Sequence, residues 1–302
     1  MIERRMLQVD VFTNRPGFGN ALAVVLDGEG IDDVSMQRFA AWTNLSETTF
    51  LLPPTDERAD YRVRIFTPRQ ELPFAGHPSV GSAYAALHAG LITPKNGKLV
   101  QQCTAGLLPM RVEGDTANWK VHVRAPEARQ RRANDDEMRL LSPIFPALDQ
   151  STFDRAVVVD NGPSFWIVAL PDEVSVRTLA PNLAAMSRLC AASACVGVAV
   201  YASTDPGSAE QISVRVFCPN DGIAEDPVTG SANAAIASVL HGNGELSRVG
   251  NPYRVSQGRE MGRNGIVEVS VEDDGAVWVG GESVVVIEGV MRWSNSAASA
   301  VS

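Results

Sequence analysis

The chain has 302 residues, of which 45% are apolar and 20% charged, and its formal net charge is −9. That composition belongs to a globular protein able to bury a core, and the length suits two domains. The acidic balance excludes a general nucleic-acid binder, which needs a basic face. The first ten residues lack the apolar h-region of a secretory signal, so a cytoplasmic location is expected. The most apolar uncharged run, residues 189–202, falls short of the about 20 residues a bilayer-spanning helix needs, so no membrane partner is expected. Cys103, Cys190, Cys195 and Cys218 show neither disulfide-framework nor zinc-site spacing and read as reduced, buried thiols. His77, His88, His122 and His241 are too scattered for a metal site.

In chain order, residues 7–12 read as a strand, 14–20 as a Pro/Gly/Asn loop and 21–26 as a second strand. Asp32 or Asp33 can cap a helix carrying Met36, Phe39, Ala40 and Trp42 at helical spacing. Strands are predicted at 48–52 and 61–66, a small-residue helix over 79–89, and strands at 98–100, 108–113 and 119–123. Residues 127–149, charge-rich with Pro143 and Pro146, read as a connection between domains 1–126 and 150–292. The second half repeats the order. Strands fall at 156–159 and 165–169, a helix at 182–192, strands at 197–201 and 212–217, and a helix at 229–241. Strands at 253–255, 266–271, 277–280 and 284–290 follow, the last able to return to the first half. Residues 293–302 read as a disordered tail. Strands outnumber helices and each half holds one Ala/Ser-rich helix. An α+β fold follows, with a curved sheet enclosing a helix of small side chains in each half.

Two distant stretches look like copies. Val63-Arg64-Ile65-Phe66-Thr67-Pro68 matches Val214-Arg215-Val216-Phe217-Cys218-Pro219 at an offset of 151 (214 − 63). Pro78 to Ala83 matches Pro227 to Ala232 as Pro-x-x-Gly-Ser-Ala, at an offset of 149 (227 − 78). The repeat puts His77 and Asp226 at equivalent positions, each at the start of a helix. Free amides at a helix start, with the helix dipole, form an anion site. If the halves face each other, an imidazole and a carboxylate meet at one cleft. The plainer alternative is two capped helices.

Glu47, in Asn44-Leu45-Ser46-Glu47-Thr48-Thr49-Phe50, sits between a helix and an apolar strand. At a partly buried edge its carboxyl would suit proton transfer; the alternative is a turn glutamate. An offset of 150 puts Gly197 at its counterpart, so any acid/base role is a single one. Gly17-Phe18-Gly19-Asn20 lacks the third glycine and the following helix of a dinucleotide loop; Asn20 could instead orient a loop at the site. Gly258, Met261, Gly262 and Arg263 read as a hairpin turn, with Arg263 exposed or on an anion.

Asn44 to Phe50, Phe74-Ala75-Gly76-His77-Pro78 and Glu225-Asp226-Pro227-Val228-Thr229-Gly230-Ser231-Ala232, with Gly19 to Val25, resemble the signatures of the phenazine-biosynthesis isomerase (PhzF-like) family over residues 9–290. The resemblance implies a diaminopimelate epimerase-like fold of two pseudo-symmetric domains, the active site between them. It implies a homodimer and a cofactor-independent isomerase of a small carboxylate, the type reaction being that of trans-2,3-dihydro-3-hydroxyanthranilate. By the matching motifs Glu47 would shuttle the proton. His77, Asp226 and Ser231 would bind and polarise the substrate, and the Gly76 and Gly230 amides would hold its carboxylate. The family often has Gly-Arg-Pro-Ser where Gly262-Arg263-Asn264-Gly265 stands here. No cysteine stands where two-thiol epimerases carry theirs. The alternatives are an amino- or hydroxy-acid epimerase and a catalytically silent binding protein.

Overall fold

A computed structural model describes residues 2–116 and 118–295 of the chain. The chain forms two units, Met1–Val123 with Gly280–Ser302, and Arg124–Val279. The first contains β1 (Ile2–Val11), β2 (Asn20–Val25), α1 (Asp33–Thr43), β3 (Glu47–Leu52), β4 (Tyr61–Phe66), β5 (Glu71–Leu72), α2 (Gly76–His88), β6 (Lys98–Cys103), β7 (Gly106–Glu113) and β8 (Lys120–Arg124). The second begins with β9 (Arg129–Arg132), α3 (Asp135–Leu141), β10 (Val157–Asp160), β11 (Ser164–Ala169), α4 (Glu173–Arg177), α5 (Leu183–Ser193) and β12 (Gly197–Ser203). It continues through β13 (Ile212–Cys218), β14 (Ile223–Asp226), α6 (Gly230–Gly242), α7 (Leu246–Val249), β15 (Tyr253–Gln257) and β16 (Gly265–Val271). The last strand, β17 (Val277–Trp293), carries the chain back to the first unit, where it pairs antiparallel with β1 from Ile2↔Trp293 to Val11↔Ser283.

Both units have the same pairing pattern. β1–β2, β3–β4, β6–β7 and β7–β8 are antiparallel, whereas β2–β3 and β4–β6 are parallel. In the second unit β10–β11, β12–β13 and β15–β16 are antiparallel, whereas β11–β12 and β13–β15 are parallel. A parallel step needs a long crossover, and the helices supply it. α1 and α5 carry one such step, α2 and α6 the other.

The helix α5 lies 150 positions after α1 (183 − 33). Asp32 caps α1 by accepting from Ser35 N, and Asn182 caps α5 by accepting from Ala185 N. Both helices end in the left-handed region, at Asn44 (φ 54°) and Ala194 (φ 53°). Each lies on one face of its sheet. Met36, Phe39 and Ala40 pack with Phe50, Phe66 and Met291; Met186, Leu189 and Cys190 pack with Trp166, Phe153 and Phe217. Burying each large side chain contributes about 1.5–3 kcal/mol.

The other face of each sheet holds α2 or α6, and here small side chains decide. Both helices are buried along nearly their whole length. A Cβ on Gly81 would lie 2.6 Å from side-chain atoms of both Leu22 and Val11, so β1 and β2 approach α2 only because residue 81 is glycine.

Several boundaries differ from the sequence reading. Residues 127–149 are not a connection: they form β9 and α3 within the second unit and bury Leu141, Ile144 and Phe145. Asn134 and Glu137 close a capping box at the start of α3, so the charges there organise a helix. α2 begins at Gly76, three residues earlier than expected, because proline in a first turn lacks only an N–H that has no partner there. Trp293, assigned to the tail, ends β17 and packs on Phe39, and Asn295 donates to Gly30 O. Residues 296–302 of that tail lie outside the described residues.

Candidate active site

In the first unit β3 positions Glu47. Alternation along a strand sends Thr48 and Phe50 to the α1 face and Glu47 and Thr49 to the α2 face. Thr48 Oγ1 meets Thr43 Oγ1 of α1 at 2.8 Å, whereas Thr49 Oγ1 accepts from Ser82 Oγ of α2 at 2.8 Å. Two residues before Thr49, Glu47 meets the first turn of the same helix: its Oε2 lies 3.5 Å from His77 Nδ1. The side chains of Glu47 and His77 are 15% and 6% exposed. Glu47 therefore lies beside the imidazole and is not an open turn residue.

The two groups are within ion-pair distance, yet the imidazole is neutral. Burial pushes the His77 pKa down from 6.5 to about 3, because an apolar surround penalises the imidazolium. His77 Nε2 is buried without a hydrogen-bond partner among the described residues. That nitrogen is therefore available to a bound group.

The first turn of α2 is tied down from below. Ser79 Oγ donates to Ala75 O at 2.9 Å and accepts from Gln101 Nε2 at 2.9 Å, and Tyr61 OH donates to Gln101 Oε1 at 2.8 Å. The N-cap residue of α2, Ala75, makes no side-chain cap, and neither does Thr229 at α6. The helices α1, α3, α4 and α5 all have one. Gly76 and Gly230 are thus the first residues of the two central helices, both buried, each start lacking a capping side chain.

In the second unit Asp226 ends β14 and is 8% exposed. The matched motifs differ locally: His77 lies inside its helix, whereas Asp226 lies before the start of its own. Thr229 Oγ1 donates a short hydrogen bond to Asp226 Oδ2. Gln257, fully buried on β15, organises the turn. It accepts from Thr229 N and Asn233 Nδ2, each at 3.1 Å, and donates to Asp226 O and Thr229 Oγ1, each at 3.0 Å. Ser231, half-buried in the first turn of α6, uses its carbonyl to accept from Asn161 Nδ2 at 2.9 Å.

Gly197 shows why the second unit has no counterpart of Glu47. It begins β12 as Glu47 begins β3, but a Cβ there would lie 2.3 Å from Phe217 O. No side chain fits.

Asn20 starts β2, two residues before Leu22, which pairs with Glu47, and is buried. The loop ahead of it is organised by Asp10, whose Oδ2 accepts from Gly17 N (2.7 Å) and Gly19 N (3.1 Å). A strand follows, not the helix of a dinucleotide site. The Gly258–Arg263 stretch is the loop of the β15–β16 hairpin, and Gly258 abuts Pro227 O next to Asp226. Arg263 is half-buried. All four cysteines are free and buried, and burial pushes the Cys190 thiol up to about 12, the wrong direction for a nucleophile or base. Among the described residues no His/Cys/Asp/Glu cluster could hold a metal ion. No helix among them is long and apolar enough to cross a membrane; residues 189–202 divide between α5 and β12.

Sequence reasoning singled out Glu47, His77 and Asp226 but not Gln257, Thr229 and Asn233, whose hydrogen bonds organise the turn after Asp226. A glutamine ending a strand just before a glycine turn was the available signal.

Residues 9–289 match the family described as phenazine biosynthesis-like protein, PhzC-PhzF. The chain is 35% identical to antisense-enhancing sequence 1 of Schizosaccharomyces pombe, over 96% of this chain and 99% of that protein. It is 31% identical to the trans-2,3-dihydro-3-hydroxyanthranilate isomerase of Pseudomonas fluorescens, over 87% and 89%. Among solved structures it resembles a predicted epimerase of Pseudomonas aeruginosa, with TM-score 0.78 and 28% identity over 95% and 99% of the two chains. It also shares the fold of a hydroxyproline epimerase of Agrobacterium vitis, with TM-score 0.65 and 15% identity over 96% and 91%. The expected epimerase-like α+β fold is the fold of this chain.

Proposed function

We propose a reaction for this chain from the premise that it belongs to the phenazine biosynthesis-like (PhzC-PhzF) family of isomerases: Glu47 moves a proton between two carbons of a small carboxylate. The observation that carries the reading is the buried pair of Glu47 and neutral His77, 3.5 Å apart, with His77 Nε2 lacking a hydrogen-bond partner among the described residues.

Glu47 takes a proton from a carbon next to an existing C=C bond; the released C–H pair forms a new C=C bond, the old π pair is displaced onto the far carbon, and the same carboxyl returns the proton there. The balance closes without an oxidant, a reductant or a cofactor. A positioned acid/base contributes about 10²–10⁴-fold. A neutral imidazole suits the second task, which is to meet developing negative charge without donating a full positive one to the ground state. In each unit the central-helix start, at Gly76 or at Gly230, lacks a side-chain cap and by itself suits a carboxylate. Asp226 and Ser231 are assigned to substrate binding, with Asn20 supporting the β2 end beside Glu47.

The named substrate of the Pseudomonas fluorescens relative supplies the first probe. Incubated with this protein in D2O, trans-2,3-dihydro-3-hydroxyanthranilate is expected to yield a constitutional isomer with solvent deuterium at the receiving carbon. Inversion at one centre without a new constitutional isomer would make the protein an epimerase. A rise in melting temperature with no exchange, for this compound and other small carboxylates, would make it a binding protein and overturn the reading.

A further inference from the structure

The repeated Val-Arg-(Ile/Val)-Phe stretch plays no part in proton transfer, yet its arginine grips a glutamate in the same two-pronged way in both units. On β4, Arg64 Nε donates to Glu71 Oε1 at 2.8 Å and Nη2 donates to Glu71 Oε2 at 2.7 Å. On β13, Arg215 Nε and Nη2 donate to Glu225 Oε1 and Oε2, both at 2.8 Å. Each guanidinium also lies over the phenylalanine two residues on, 5.1 Å from the Phe66 ring centre and 5.0 Å from that of Phe217. The glutamates follow their arginines by seven and ten residues, so the sequence repeat alone does not disclose the pairing. Both sit on a short strand, β5 or β14, that folds back antiparallel on the motif strand before the central helix begins.

The second pair is the more enclosed. The Arg215 and Glu225 side chains are 8% and 14% exposed. The remaining Arg215 nitrogen, Nη1, donates to Leu179 O at 2.6 Å and Val176 O at 3.2 Å. Glu225 directly precedes Asp226 in the chain.

We infer that Arg215 and Glu225 are positioning residues that hold the β14–α6 turn, and with it Asp226, in its binding geometry. This rests on the reading of Asp226 as a substrate contact. A two-pronged guanidinium–carboxylate contact fixes both the reach and the rotation of Glu225. With that side chain held, the adjoining peptide keeps the Asp226 carboxyl within reach of Thr229 Oγ1. Lysine supplies the charge without the fork and does not substitute. Arg64 and Glu71 hold the approach to His77 in the same way, on a more exposed edge where Asp33, the further partner of Arg64, is 80% exposed.

The test is amide hydrogen exchange by mass spectrometry on the full chain, comparing wild type with Glu225→Gln and Arg215→Lys. Glu71→Gln serves as the counterpart in the first unit. Both second-unit variants are expected to speed exchange about tenfold in residues 222–231 while β13 and β15 keep their protection. With trans-2,3-dihydro-3-hydroxyanthranilate as probe, KM is expected to rise about tenfold and kcat to change less than about threefold, because Asp226 is read as a substrate contact. Unchanged exchange at 222–231 would overturn the inference. So would a uniform rise across the second unit with a matching drop in melting temperature, which marks a purely structural pair. If Arg215→Lys does not fold, Glu225→Gln alone decides. Glu47→Gln, measured in parallel, separates the two ideas: if it retains the wild-type rate, the proton-transfer reading falls, whereas the exchange pattern still decides what holds the turn.

Discussion

Glu47 Oε2 and His77 Nδ1 approach to 3.5 Å from different elements, the first residue of β3 and the first turn of α2. The contact depends on two periodicities in register. Two residues along β3, Thr49 meets Ser82, five residues along α2, so strand and helix advance together. Acid and imidazole are therefore placed by the packing of a strand face on a small-residue helix.

Burial of His77 gives the protein an acid-sensitive term. In the unfolded chain the imidazole gains a proton below about pH 6.5, whereas in the fold it stays neutral down to about 3. Between these values the unfolded state binds more protons, so stability falls as pH drops through that window, by about 1.4 kcal/mol per pH unit for one group. Urea unfolding of wild type and His77→Asn at pH 6.5 and 5 is expected to show wild type losing about 2 kcal/mol more than the variant. Equal losses would mean that His77 is protonated in the fold.

Gln257 carries four hydrogen bonds of the turn after Asp226. Gln257→Leu keeps the size but leaves Thr229 N, Thr229 Oγ1, Asp226 O and Asn233 Nδ2 to find other partners. A loss of roughly 2–4 kcal/mol in unfolding free energy is expected, with reduced turnover per folded molecule. A urea midpoint within error of wild type would contradict the role given to this side chain.

Gly258 combines a positive φ of 90° with a Cβ direction that ends 2.4 Å from Pro227 O. Gly262 has a similar φ of 72° but open space around it. Gly258→Ala is expected to cost roughly 1–3 kcal/mol and to exceed the cost of Gly262→Ala, because only the first must also displace the backbone beside Asp226. Equal melting temperatures for the two variants would show that the hairpin yields freely.

The duplicated architecture was readable because the repeat preserves spacing: α1 and α5, with their caps, stand 150 residues apart (183 − 33). Glu47, His77 and Asp226 stood out as ionisable residues at element boundaries. Their supports did not, since Gln257 and Gln101 act through contacts across 28 and 22 residues that no local pattern carries. The segment 127–149 misled because its charge masked the Asn134–Glu137 capping box and the apolar residues behind it. Separate strands were expected at 277–280 and 284–290, where β17 runs unbroken.

The most direct test is Glu47→Gln, which keeps the shape of the side chain and removes its ability to exchange a proton. Deuterium incorporation from D2O into trans-2,3-dihydro-3-hydroxyanthranilate, read by NMR beside a ligand-induced melting shift, is expected to fall by about 10²–10⁴-fold while the shift persists. Incorporation at the wild-type rate would contradict the central claim that Glu47 carries the proton.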